Sequence, residues 1–178
     1  MIWINITNSV VGRARLYSEL RQQGQLRYVY TYRAVMGYED GTQQTIFGVT
    51  RDSSEVVFAK QSCRYGTGGE CPPSRVGRPY HAVLHKKTEL LPFSLRLYEP
   101  EYRNRYHLRG EGSVVRSGVL FHHGPAKTEG CFTVAGGRAA FAAWQKSFLQ
   151  LQDNNPAQET RVCVKPRAIP HYITHLVQ

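Results

Sequence analysis

Between Phe121 and Cys131 the chain reads FHHGPAKTEGC: two adjacent histidines, a glycine, and a Gly-Cys pair. A cysteine becomes a nucleophile when a nearby base or cation favours its thiolate, and histidine is the side chain that ionises nearest neutrality. A loop of this length can return the chain so that Cys131 stands beside His122 or His123. Gly130 permits a tight turn whose N–H groups would face an oxyanion. Three readings are open to such a cluster: a nucleophile with its base, half of a metal site, or two core histidines near an inert thiol.

Other metal and phosphate signals are weaker. His81 and His85 in HAVLH have helical zinc spacing, but the glutamate of a zinc-protease helix is absent and the neighbours alternate like a strand. The four cysteines, Cys63, Cys71, Cys131 and Cys163, form no CxxC pair. Cys63 and Cys71 flank a Gly-rich loop and would close as a disulfide in an oxidising compartment. The GTGGE within that loop is followed by no Lys-Ser/Thr and no helix, so it is not a phosphate-binding loop.

The elements that must position Cys131 and its histidines are mostly strands. Residues 2–11 are β-prone, and 26–36, LRYVYTYRAVM, alternate cleanly. TIFGVT, EVVFAK, YHAVLHK, SLRLYE and RVCVKP read as further strands, and Asp40-Gly41 as the tip of a turn. SGVLFHH, 117–123, reads as one compact strand running into the histidines. Residues 14–22 have the spacing of a short helix, with Leu16 and Leu20 on one face. Residues 138–151, RAAFAAWQKSFLQL, carry an apolar stripe at spacings of three and four and predict an amphipathic helix just after Cys131. Residues 61–79 and 102–112 read as loops, and the C-terminus as irregular. The expected class is mostly β (α+β), in a single domain over 1–178 whose first 60 residues are β-rich and without an assigned role.

With 178 residues, 41% of them hydrophobic, the chain is long enough to bury a core and is not a disordered polyelectrolyte. No apolar run approaches the roughly 18 residues of a membrane span, so no membrane insertion is expected. The N-terminus lacks the basic start and apolar core of a Sec signal peptide, so synthesis in the cytoplasm without that signal is expected. A net charge of +10 favours polyanions: nucleic acid, anionic lipid, or an acidic cell-wall polymer. The stretch RLYEPEYRNRYHLRG interleaves Arg96, Arg103, Arg105 and Arg109 with Tyr98, Tyr102 and Tyr106. That mixture suits bases and phosphates, and equally sugar rings and carboxylates.

Residues 116–134, RSGVLFHHGPAKTEGCFTV, resemble the signature of L,D-transpeptidase-like (YkuD-type) domains, above all the compact variants among type VI secretion effectors. The resemblance rests on Arg116-Ser117-Gly118, the apolar strand through Phe121, His122, Gly124, and Thr128-Glu129-Gly130-Cys131-Phe132. It implies a catalytic core over 76–165 and a cysteine enzyme that acts on peptidoglycan stem peptides without metal or cofactor. Under that resemblance Cys131 is the nucleophile, His122 or His123 the base, and Gly130 part of the oxyanion turn. Thr128 orders the loop, and Arg116, Arg138 and Tyr106 bind substrate. A secretion-system component and an immunity protein become the expected partners, nucleic acid is not a specific one, and the site of action becomes the periplasm of a target bacterium. Two features depart from the family: the His-to-Cys spacing is shorter, and Thr133 stands where larger members carry an arginine. The rival readings are a basic nucleic-acid-binding module, a zinc protein using Cys131, and a cysteine amidase or endopeptidase on the same wall substrate.

Overall fold

A computed structural model describes residues 1–16, 26–51, 71–89, 91–112, 115–123, 131–156, 159–166 and 175–177. Three strands come first: β1 (Ile2–Leu16), β2 (Leu26–Tyr38) and β3 (Thr45–Thr50). β4 (Tyr80–Leu84) and β5 (Ser94–Tyr98) follow, then a 3-10 turn over Pro100–Arg105. Next are the short β6 (His107–Leu108), β7 (Arg116–Ser117), β8 (Leu120–His122) and β9 (Phe132–Val134). One α-helix, α1 (Gly137–Asn154), precedes β10 (Thr160–Val164) and β11 (His175–Val177).

The main sheet runs β1-β10-β4-β5-β8-β9-β3-β2, and β1 also pairs with β2, so eight strands close into a barrel. β11 adds to the far end of β2, and β6 pairs with β7 apart from the barrel. The N-terminal strands β1, β2 and β3, expected as β-rich but without a role, are therefore three of the eight strands of the barrel wall and the place where it closes.

Closure gives each strand one inward face, and the period-two alternation of the chain decides which residues occupy it. Ile2, Ile4 and Ile6 lie in register with Thr160, Val162 and Val164 on one side, and Ile4 and Ile6 with Met36 and Ala34 on the other. Tyr32, Val49, Phe121, Phe132, Leu95, Leu97 and Tyr80 complete this buried layer. Helix α1 lays its stripe of Phe141, Trp144, Phe148 and Leu151 on it. The Trp144 ring stacks on Phe121 at 4.8 Å and lies tilted against Phe47 at 6.2 Å, and the Tyr38 hydroxyl donates to the Leu151 carbonyl at 2.9 Å. The entry to the helix needs glycine. Gly136 has φ 101°, and a Cβ there would meet the Ala140 Cβ at 2.8 Å. A buried arginine also ties the wall across: Arg51, just after β3, stands over the Tyr32 ring and donates to the Lys165 carbonyl just after β10.

Four expectations are corrected. Residues 102–112 are not all loop, because they hold the end of the 3-10 turn and β6, which pairs with β7. Residues 14–16 are strand, because Ala14, Arg15 and Leu16 pair with β2 and inter-strand bonding overrides a weak helical spacing; residues 17–22 of that expected helix lie outside the described residues. The stretch 117–123 is not one strand. Gly118 at φ 74° turns the chain, so Arg116–Ser117 pairs with β6 and Leu120–His122 with β5. The C-terminus is not wholly irregular, since His175–Val177 pairs with β2. The expected strand EVVFAK and the Cys63 half of the expected disulfide lie outside the described residues.

Trp144 is the side chain on which the helix and Phe121 meet. Trp144→Ala is expected to lower unfolding free energy by about 3–5 kcal/mol, read from the urea midpoint at constant m-value.

Candidate active site

β8 and β9 are parallel neighbours, with Phe121 opposite Phe132 and His122 opposite Thr133. The two phenylalanines stack at 5.9 Å and face inward, under α1. Alternation then turns His122 and Thr133 to the outer face, together with Cys131, two residues before Thr133. From strand spacing and rise, the Cα atoms of His122 and Cys131 lie about 8 Å apart on the diagonal. The Leu120 N–H donates to the Cys131 sulfur at 3.4 Å, and the thiol faces the Gly118 carbonyl at 3.6 Å.

His122 is only 8% exposed although it faces outward. Its Nδ1 lies 2.8 Å from the His123 carbonyl oxygen. A carbonyl can only accept, so Nδ1 carries the proton and Nε2 the basic lone pair. Burial pushes the His122 pKa below the ordinary histidine value; the His123 carbonyl opposes this, and the His123 ring adds to it. The ring is thus a neutral imidazole near pH 7, the form a general base requires.

Neighbouring strands supply the remaining groups. Thr133 exchanges a short hydroxyl–hydroxyl hydrogen bond with Thr50. Ser94 on β5 lies in register with His122, is 1% exposed, and its hydroxyl has no partner among the described residues. Arg96, also on β5, lies in register with Leu120. Its guanidinium sits 4.9 Å from the Tyr106 ring centre, and Tyr106 in turn meets Tyr98 edge-on at 5.8 Å.

The residues expected from sequence divide as follows. His122 and Cys131 share a face. The His123 ring instead packs edge-on against Phe141 of α1 at 5.2 Å. Arg138 is exposed in the first turn of α1. Arg116 is buried in β7 opposite Leu108, two residues ahead of Gly118. Tyr106 ends the 3-10 turn at φ 50° and joins the site through Arg96. Thr128 and Gly130 lie outside the described residues.

The second histidine pair does not join them. His81 bonds to Arg161 and rests on Tyr98, while burial and then the Arg161 charge lower its pKa. Among the described residues no three His, Cys, Asp or Glu side chains converge to hold a metal ion. Sequence reasoning passed over Ser94, and took Arg96 only as part of a basic stretch. The alternation of SLRLYE puts Ser94, Arg96 and Tyr98 on one face, but only the β5–β8 register brings that face to His122. Compared with known protein families, curated proteins and solved structures, the chain matches none.

The depressed His122 pKa fixes the sign of a pH effect on stability. As pH falls through the ordinary histidine range, the unfolded chain takes a proton that folded His122 still refuses, so stability is lost on the acid side. His122→Gln should shrink the drop in urea midpoint between about pH 7.5 and about pH 5.5, whereas His81 and His85, shifted the same way, keep part of it.

Proposed function

We propose that the chain is a cysteine-dependent acyl-transfer enzyme acting on peptidoglycan stem peptides, an L,D-carboxypeptidase or transpeptidase. The observation that carries this reading is the outward face shared by Cys131 and His122, with the His122 tautomer set for a base by the His123 carbonyl. The resemblance of residues 116–134 to L,D-transpeptidase-like domains supports the substrate class. The net charge of +10 suits a polymer that carries carboxylates.

The chemistry needs only these groups. His122 Nε2 takes the thiol proton as Cys131 Sγ attacks the peptide carbonyl. The tetrahedral adduct collapses, the C–N bond breaks, and the leaving amine takes the proton from His122. The thioester then passes its acyl group to water, giving a shortened stem, or to another amine, giving a cross-link or an exchanged D-amino acid; either returns the proton to sulfur. Delivery as an antibacterial type VI effector, with an immunity protein protecting the producer, belongs to the same proposal and rests on the resemblance alone.

Digestion of purified muropeptides followed by mass spectrometry tests the reading. Cys131→Ala should abolish product. His122→Gln should lower kcat/KM on the order of 10²–10⁴-fold, and His123→Gln by much less. The acid limb of the kcat/KM profile should lie below the ordinary histidine value, because His122 is depressed in the free protein. Product formed equally well by Cys131→Ala would remove Cys131 as nucleophile, and a wild type without product would remove the enzyme reading.

A further inference from the structure

Arg96 is a cation without an assigned task, at the rim of the cysteine site. It lies in register with Leu120, whose N–H touches the Cys131 sulfur. Two strand spacings therefore separate its Cα from that of Cys131, about 10 Å. Its guanidinium carbon sits over the Tyr106 ring, and Tyr106 is braced by Tyr98, so the charge is held in place rather than left swinging in solvent. Its Nε is buried and has no hydrogen-bond partner among the described residues. The described ion pairs, Arg78–Glu101 and Arg161–Glu159, do not involve it. Its charge is nevertheless felt locally: after burial, Arg96 is the second cause of the lowered His85 pKa.

Leu120 stands between this arginine and the thiol on the same face, and Gly118 lies on the far side of Leu120 along the chain. Gly118 is exposed, and a Cβ built on it would meet no atom within 4 Å, while its carbonyl touches the Cys131 sulfur. A guanidinium fixed near the thiol, with its Nε–H unpartnered among the described residues, suits a carboxylate as its counter-ion.

We propose that Arg96, stacked on Tyr106, is a carboxylate clamp that makes the enzyme select stem peptides carrying a free carboxylate near the scissile bond over their carboxamides. This rests on the reading of Cys131 as nucleophile. The carboxylate has two sources in such a peptide, the C-terminus of the departing residue and the side chain of the residue being acylated.

The test compares three muropeptides: all carboxylates free, the terminal one amidated, and the side-chain one amidated. Amidation at one of the two positions should lower wild-type kcat/KM roughly 10- to 100-fold, and that position identifies the source. In Arg96→Gln the free acid should fall to the level of its amide, so that the ratio approaches one, and Arg96→Lys should restore part of it as a charge without the fork. Wild-type indifference to both amides, or an equal loss on acid and amide in Arg96→Gln, overturns the clamp. A second readout needs no muropeptide: alkylation of Cys131 by iodoacetate relative to iodoacetamide, followed on its tryptic peptide. That ratio should fall roughly 3-fold or more in Arg96→Gln. An unmoved ratio overturns the clamp. A moved ratio in a protein that turns over no muropeptide supports the clamp and sinks only the peptidoglycan reading.

Discussion

The pairing of β1 with both β2 and β10 closes the sheet, and closure leaves every strand with one face that must be apolar. Sliding any strand by a single residue would put its polar set inside and its apolar set in water, so the register is strongly held. The consequence reaches the candidate site directly. Phe121 and Phe132 belong to the inner layer, where they stack on each other under Trp144. The residues one step along, His122, Cys131 and Thr133, are thereby sent to the outer face. The core decides which face these candidate residues occupy.

Helix α1 is the second half of that device. It begins three residues after β9 ends, at the glycine pair Gly136-Gly137, and returns its aromatic stripe onto the strand pair that carries the site. The ring of His123 is held on this side by Phe141, while that residue's carbonyl receives the Nδ1 proton of His122. The two adjacent histidines therefore do different work. One is an anchor and tautomer-setting acceptor, the other a neutral imidazole on the face of the thiol.

The outer face is built mainly from strands that flank β8. Thr50 fixes Thr133 from β3, and β5 contributes Ser94 and Arg96. Arg96 over Tyr106 places positive charge on an aromatic support, a more ordered arrangement than a solvated basic loop provides.

Much of this was legible in the chain. The clean alternation of 26–36 and of SLRLYE and the helical stripe of 138–151 are local periodicities, and they named β2, β5 and α1, while the spacing of FHHGPAKTEGC offered Cys131 with either His122 or His123 as candidates. The break at Gly118 was not legible, because glycine adopts positive φ only where the surroundings demand it. Strand at 14–16 and at 175–177 depends on β2 lying alongside, which local pattern does not encode. The partners of the site are the clearest case. Ser94 and Arg96 stand far from Cys131 in sequence, and only hydrogen-bonded register across β5, β8 and β9 brings them to one face. Residue types and short-range spacing are properties of the chain itself. Which face each residue occupies, and beside whom, is set by long-range strand pairing around a closed core, and that is a property of the folded barrel alone.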